Sequence, residues 1–296
     1  MTLPLTRTKA RTAPPAHFFL GLALAVFFWF ASWTRLGVFG EYAFFPQWLG
    51  YILTVDALVA WRRGESLLTA HPREWMALFL LSAPIWWVFE GLNVFVQNWH
   101  YLTARAYDPV EYVLIASIDF STVIPAVFET TALLLTFDFF QRRLELPRFS
   151  LSARLAGLLI FCGAAAFAAV VLLPRYAFPL TWVWIALITD PLNFLFGRPS
   201  LLAQAARGEV RRVLGLAVAA LVCGVFWEMW NYRAMPKWYY TVPFVGFGKV
   251  FEMPFLGYFG YIPFAWELYA LYQLVWGLAR RAPKALEAIG GPVAEN

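Results

Sequence analysis

Eight apolar stretches follow one another along this chain of 296 residues, at about 17–33, 42–61, 75–97, 111–140, 155–173, 179–197, 213–232 and 255–279. A helix needs roughly 20 apolar residues to cross the bilayer core. Lipid offers backbone polar groups no partner, so helices rather than open strands are the expected form. With 61% hydrophobic and 14% charged residues, too little polar surface is available to coat soluble domains of this length. The expected fold is all-α: a polytopic membrane helical bundle of about eight transmembrane helices. The first stretch is aromatic-rich and no small-residue cleavage motif follows Trp33, so it reads as a retained helix rather than a signal peptide. Cys162 and Cys223 sit inside apolar runs and read as buried free thiols.

The basic residues divide by side. Arg7, Lys9, Arg11, Arg62, Arg63, Arg73, Arg142, Arg143, Arg148, Arg154, Arg198, Arg207, Arg211, Arg212, Arg280, Arg281 and Lys284 fall on one side of the alternating spans. Arg35, Arg105, Arg175, Arg233, Lys237 and Lys249 fall on the other, and together these are all 23 Lys and Arg residues. By the positive-inside rule the richer side is cytoplasmic. Both termini are then cytoplasmic, in a multi-pass protein of the inner membrane whose main partner is the lipid bilayer. The net charge of +5 is no nucleic-acid signal, and no nucleic-acid partner is expected. A homo-oligomer is allowed by the sequence.

The halves resemble each other. Asp56 aligns with Asp190 and the Ser-Leu-Leu at Ser66 with that at Ser200, at one offset; Glu90 and Asn93 align with Glu228 and Asn231 at another. Trp99-His100-Tyr101 aligns with Trp238-Tyr239-Tyr240, and Pro125 with Glu129 aligns with Pro263 and Glu267. The chain therefore divides into a tail (1–16), a first four-helix repeat (17–140), a linker (141–154), a second four-helix repeat (155–279) and a tail (280–296). An even number of spans per repeat returns the chain to its starting side. The repeats are thus expected to be parallel, about a pseudo-twofold axis along the membrane normal.

Eight acids fall inside the apolar stretches: Asp56, Glu90, Asp119, Glu129, Asp138, Asp190, Glu228 and Glu267. Apart from His17, at the first residue of the first stretch, no basic residue accompanies them. A carboxylate in hydrocarbon is costly, so such residues mark candidate sites. Six form repeat-related pairs, whereas Asp119 and Asp138 have no counterpart. Without cationic partners the six either carry protons, hold a metal ion, or tie helices together through hydrogen bonds. Glu90 and Asn93 share a helix face, as do Glu228 and Asn231, so each amide is expected to hold its carboxylate. Pro125 and Pro263 are expected to kink their helices. Trp99, Tyr101, Trp238, Tyr239 and Tyr240 read as an interfacial aromatic belt or as site residues. Three scattered His residues form no visible metal site, and no phosphate-binding, dinucleotide or Ser-hydrolase motif is present. No metal or cofactor is expected.

In its acid at Glu90, its Trp99 and Tyr101 nine and eleven residues on, and its Pro125 and Glu129 on the next helix, the first repeat resembles the membrane-integral lycopene cyclase domain of the heterodimeric bacterial and bifunctional fungal type. The second repeat matches with one extra residue before Trp238. The likeness covers about 75–140 and 213–275. The chain departs from the family pattern in carrying Glu for Asp and Pro-x-x-x-Glu for Pro-x-Glu-Glu. The resemblance implies an isoprenoid or carotenoid substrate and a proton-initiated reaction without redox change, a cyclase, hydratase or isomerase. Glu267 and Glu129 are then the candidate acids, with Glu228 and Glu90 as base or hydrogen-bond partners. Asn93, Asn231, Asp56, Asp190, Trp227, Trp230, Trp266, Tyr261, Trp99 and Tyr101 are the candidate substrate-binding residues. The richer aromatic surroundings of the second half, with Tyr232 and Tyr258 as well, favour Glu267 as the acid. Two rival classes share these features: a proton-coupled carrier of a lipophilic substrate, and a non-catalytic membrane scaffold.

Overall fold

A computed structural model describes residues 12–141 and 147–278. The tail residues Arg7, Lys9, Arg11, Arg280, Arg281 and Lys284, and the linker residues Arg142 and Arg143, lie outside the described residues. The chain is mostly helical, and among the described residues six segments are long and apolar enough to cross a membrane: Ala16–Thr34, Pro72–Val96, Pro109–Leu134, Ala153–Leu172, Pro174–Leu195 and Arg211–Asn231. This is the signature of a multi-pass membrane protein. Two further helices, Phe44–Arg63 and Tyr261–Leu278, are 20 and 18 residues long. They fall on two of the eight apolar stretches of the sequence but are less apolar than the six. Each buries polar side chains in the bundle, Gln47 and Asp56 in one, Glu267 and Gln273 in the other.

We number the main helices α1 (Ala16–Thr34), α2 (Phe44–Arg63), α3 (Pro72–Val96), α4 (Pro109–Phe120), α5 (Val123–Leu134), α6 (Ala153–Leu172), α7 (Trp184–Leu195), α8 (Arg211–Asn231) and α9 (Tyr261–Leu278). In the first half α1 lies along α2, and α2 and α3 both pack on α5. In the second, α6 lies along α7, and α7 and α8 both pack on α9. Contact between α5 and α8 joins the halves. Small residues permit the closest approaches. A Cβ on Gly21 would lie 2.7 Å from the Gly50 carbonyl oxygen, and one on Gly50 would lie 2.5 Å from the Ala25 nitrogen. Such backbone contact is how helices associate where lipid removes the hydrophobic drive.

The prolines break helices rather than kink them. Pro125 lacks an N–H and its ring opposes the carbonyl four residues back, so α4 ends at Phe120 and α5 begins at Val123. Ser82 bridges the break: its hydroxyl donates to Phe120 O at 2.6 Å and accepts from Ile124 N at 3.0 Å. Pro263 likewise stands at the start of α9, after a 3-10 turn over Phe255–Gly260. The stretch expected as one span over 179–197 is also divided: a 3-10 turn over Phe178–Trp182 precedes the 12-residue α7. Cys223 is buried as expected but Cys162 is exposed, on the mostly apolar helix α6 beside the exposed Phe161.

Two strands were not expected from the sequence. Trp99–Leu102 (β1) and Lys237–Tyr240 (β2) follow α3 and α8 and pair antiparallel. Trp99 faces Tyr240, His100 faces Tyr239 and Tyr101 faces Trp238. This ladder ties the halves together at one end of the bundle.

Candidate functional site

The ladder is held by the two amides. Asn93 donates from Nδ2 to Trp99 O at 2.7 Å and accepts the Asn98 N–H at 2.9 Å. Asn231 does the same for the second strand, donating to Trp238 O at 2.7 Å and accepting the Trp238 N–H at 2.8 Å. The amides therefore serve the strand backbones and not the carboxylates, contrary to the expectation from their spacing. An Asn one turn beyond Glu on a helix end is placed to catch the departing chain.

The carboxylates instead collect aromatic donors. Glu90 Oε1 accepts from Trp86 Nε1 at 2.9 Å, Trp99 Nε1 at 3.1 Å and the Tyr101 hydroxyl at 2.5 Å. Glu228 Oε1 accepts from Trp238 Nε1 at 3.4 Å, the Tyr240 hydroxyl at 2.7 Å and the Tyr261 hydroxyl at 2.9 Å. Glu228 is fully buried, and its second oxygen has no partner. Trp99, Tyr101, Trp238 and Tyr240 are thus inward-facing site residues and not an outer belt.

Those aromatics wall a cavity of about 490 Å³ between the halves. The first half contributes Trp86, Trp99, Tyr101, Phe120 and Val123; the second contributes Trp182, Trp227, Trp230, Trp238, Tyr240, Tyr261 and Phe264. The rings brace one another. Phe89 stacks on Trp182 at 5.7 Å between centroids, and Phe264 packs edge-on against Phe89, Trp182 and Trp86. Among the polar lining residues are Gln47, Glu41, Asp119, Asn231 and Lys237. Two of these charges are already paired: Glu41 with Arg105 at 3.0 Å, and Lys237 with Glu252. The volume and apolar wall suit a small lipophilic ligand.

Of the candidate residues, Trp99, Tyr101, Trp227, Trp230, Tyr261 and Asn231 line this cavity, and Glu90 and Glu228 lie directly behind its wall. Asn93 anchors β1, and Trp266 donates to Val213 O at 3.0 Å; neither is part of the lining. Asp56 and Asp190 lie at the other end of the bundle, where they receive a turn. Asp190 accepts from the Ser200 hydroxyl and the Leu201 and Leu202 N–H groups, each at 2.8 Å. Asp56 accepts from the Ser66 hydroxyl at 2.7 Å and the Leu68 N–H at 3.0 Å.

Glu129 and Glu267 do not reach the cavity. Glu267 accepts the Ile185 N–H at 3.0 Å, at the first turn of α7, where helix N–H groups lack internal partners. Glu129 is buried near Asp56 and Trp75. The structure therefore separates Glu90 from Glu129: Ser82 sets the level of Ile124, and Glu90 lies eight residues beyond Ser82 while Glu129 runs the opposite way, about 20 Å apart along the helices at 1.5 Å per residue.

Sequence reasoning set Asp119 aside for want of a counterpart, and it missed Glu41, Trp86 and Trp182. Trp86 had a signal, being one helical turn before Glu90. Trp182 had none, because its place depends on the broken helix before α7. Among the described residues no group of three or more His, Cys, Asp or Glu side chains converges as a metal site. No family model matches the chain, and neither a curated protein nor a solved structure matches it.

Proposed function

We propose that the chain is a membrane-embedded enzyme that takes an isoprenoid or carotenoid into the aromatic cavity and begins a redox-neutral rearrangement by protonating a C=C bond. The observation that carries this reading is the cavity itself: an apolar chamber between the halves, walled by indole and phenol rings that two buried-side glutamates hold in place. Ring faces stabilise a developing carbocation. Asp119, in the lining, and Glu228, through the Tyr240 and Tyr261 hydroxyls, exchange the proton with the substrate. The first addition makes a tertiary cation, and loss of a neighbouring C–H proton or capture of water completes the reaction.

The same reading takes the chain as eight crossings with both ends on the cytoplasmic side of the inner membrane. Its two parallel four-helix repeats are related by an axis through the His100–Tyr239 pair. The matched Asp–Ser turns, Asn-held strands and Glu–aromatic clusters support the repeat. Production of a polyprenoid in cells with and without the protein, followed by mass spectrometry of the lipid extract, tests it. An isomer or hydrate of the precursor is expected, and is lost with Asp119→Asn or Glu228→Gln. A lipid extract indistinguishable from the control for every polyprenoid supplied overturns the reading.

A further inference from the structure

The first half carries a chain of titratable groups that the second lacks. His17, at the start of α1, has Nε2 3.0 Å from Asp56 Oδ1. The imidazole is 19% exposed while Asp56 is fully buried. Beyond Asp56, Glu129 is 1% exposed and neither of its oxygens has a hydrogen-bond partner. It faces Asp56 and the Trp75 indole, whose N–H is also unpartnered. The other polar groups brought to Asp56 are the Ser66 hydroxyl and the Leu68 N–H of the turn after α2. In the second half Asp190 receives three donors from its own turn, and Glu267 receives a backbone N–H. Structural duty therefore accounts for the second pair and leaves Glu129 without any.

We propose that His17, Asp56 and Glu129 form a proton-uptake path from the membrane surface to a buried acceptor. Histidine is the side chain that takes up and releases protons near neutrality. A proton taken from water by the imidazole passes from Nε2 to the Asp56 carboxylate, and from Asp56 to the Glu129 carboxylate. His17 and Asp56 end as they began, and Glu129 holds the proton. A carboxyl buried beside a second carboxylate is stabilised by holding a proton, because its charged form would be both desolvated and repelled. The path lies at the opposite end of the bundle from the ladder, so it is independent of what the aromatic cavity binds.

Infrared spectroscopy of the full chain in lipid nanodiscs tests this. The wild type is expected to show a protonated-carboxyl C=O band that Glu129→Gln removes and Glu129→Asp shifts. On transfer to D₂O that band should exchange, and His17→Gln should slow the exchange on the order of a hundredfold, the scale of proton transfer by a positioned side chain. Asp190→Asn should leave band and rate unchanged. If Glu129→Gln removes no band, or if His17→Gln leaves the exchange rate as in the wild type, the path does not exist.

Discussion

His100 stands opposite Tyr239 across the two-stranded ladder, and their rings stack with centroids 5.2 Å apart. These residues occupy matching places in the two halves of the sequence, so each half lays the same short strand against the other's. Directly opposed residues of an antiparallel pair have Cβ atoms about 5 Å apart, within reach of a disulfide after modest adjustment. In a background with Cys162 replaced by Ser, His100→Cys with Tyr239→Cys is expected to cross-link on mild oxidation. The readout is faster migration on a non-reducing gel, reversed by reductant. His100→Cys with Lys237→Cys, two positions out of register, should cross-link much less. Equal cross-linking of the two pairs would contradict the register.

Glu228 is the acceptor for three half-buried donors. Glu228→Ala leaves the Trp238, Tyr240 and Tyr261 donors without an acceptor, and each half-buried group so orphaned costs about 1 kcal/mol, the low end of the scale for fully buried ones. Glu228→Gln retains an acceptor oxygen at the same reach. The alanine variant is therefore expected to lose about 3 kcal/mol or more, and the glutamine variant about 1 kcal/mol. Thermal unfolding in detergent, followed by Trp fluorescence, measures both. Equal stability of the alanine variant and the wild type would mean that the three donors are satisfied elsewhere.

The α1–α2 contact admits no side chain at two positions. A Cβ at Gly50 would meet α1 backbone, which cannot swing aside as a flexible side chain can. Gly50→Val is expected to separate the helices at a cost of about 3 kcal/mol, the top of the usual range for overpacking because the obstacle is main chain. Gly91, where an added Cβ meets nothing within 4 Å, should accept alanine with little change. The check is the melting temperature of the two variants side by side, together with protease sensitivity of the α1–α2 connection.

Much of this architecture was legible in the residues. Apolar run lengths located the helices, because a membrane span has to satisfy its backbone internally. The recurrence of Glu90, Asn93, Trp99 and Tyr101 at Glu228, Asn231, Trp238 and Tyr240 located the elements that hold the ladder and the cavity wall, and that of Asp56 at Asp190 located the turns at the other end. What the residues did not disclose was direction. Asn93 shares a helix face with Glu90, yet its amide turns to the chain leaving α3, because unpaired strand N–H groups need it more than a carboxylate that already has three aromatic donors. Residue type alone could not separate Glu228 from Glu267 either. Their difference arises from Pro179 and the 3-10 turn before α7, which present a bare helix N-terminus to one acid and not to the other.

That difference gives the sharpest functional contrast. The sequence points to Glu267 as the acid, on the strength of its aromatic neighbours Phe264 and Trp266. In the structure Trp266 turns away to Val213 O, and Glu267 holds the Ile185 N–H. Glu228 sits behind Tyr240 and Tyr261, both of which line the cavity. Glu267→Gln keeps an oxygen for Ile185, so it should fold, and product formation should stay within about twofold of wild type; Glu267→Leu should lose about 1–2 kcal/mol through the unpaired N–H. Glu228→Gln keeps the aromatic wall but has no proton to give, and a lost general acid lowers turnover about 10²–10⁴-fold. Product per folded protein, normalised by gel filtration in detergent, separates the cases. If Glu267→Gln is inactive while Glu228→Gln turns over normally, the proton comes from the α7 end of the bundle and the assignment of roles is reversed.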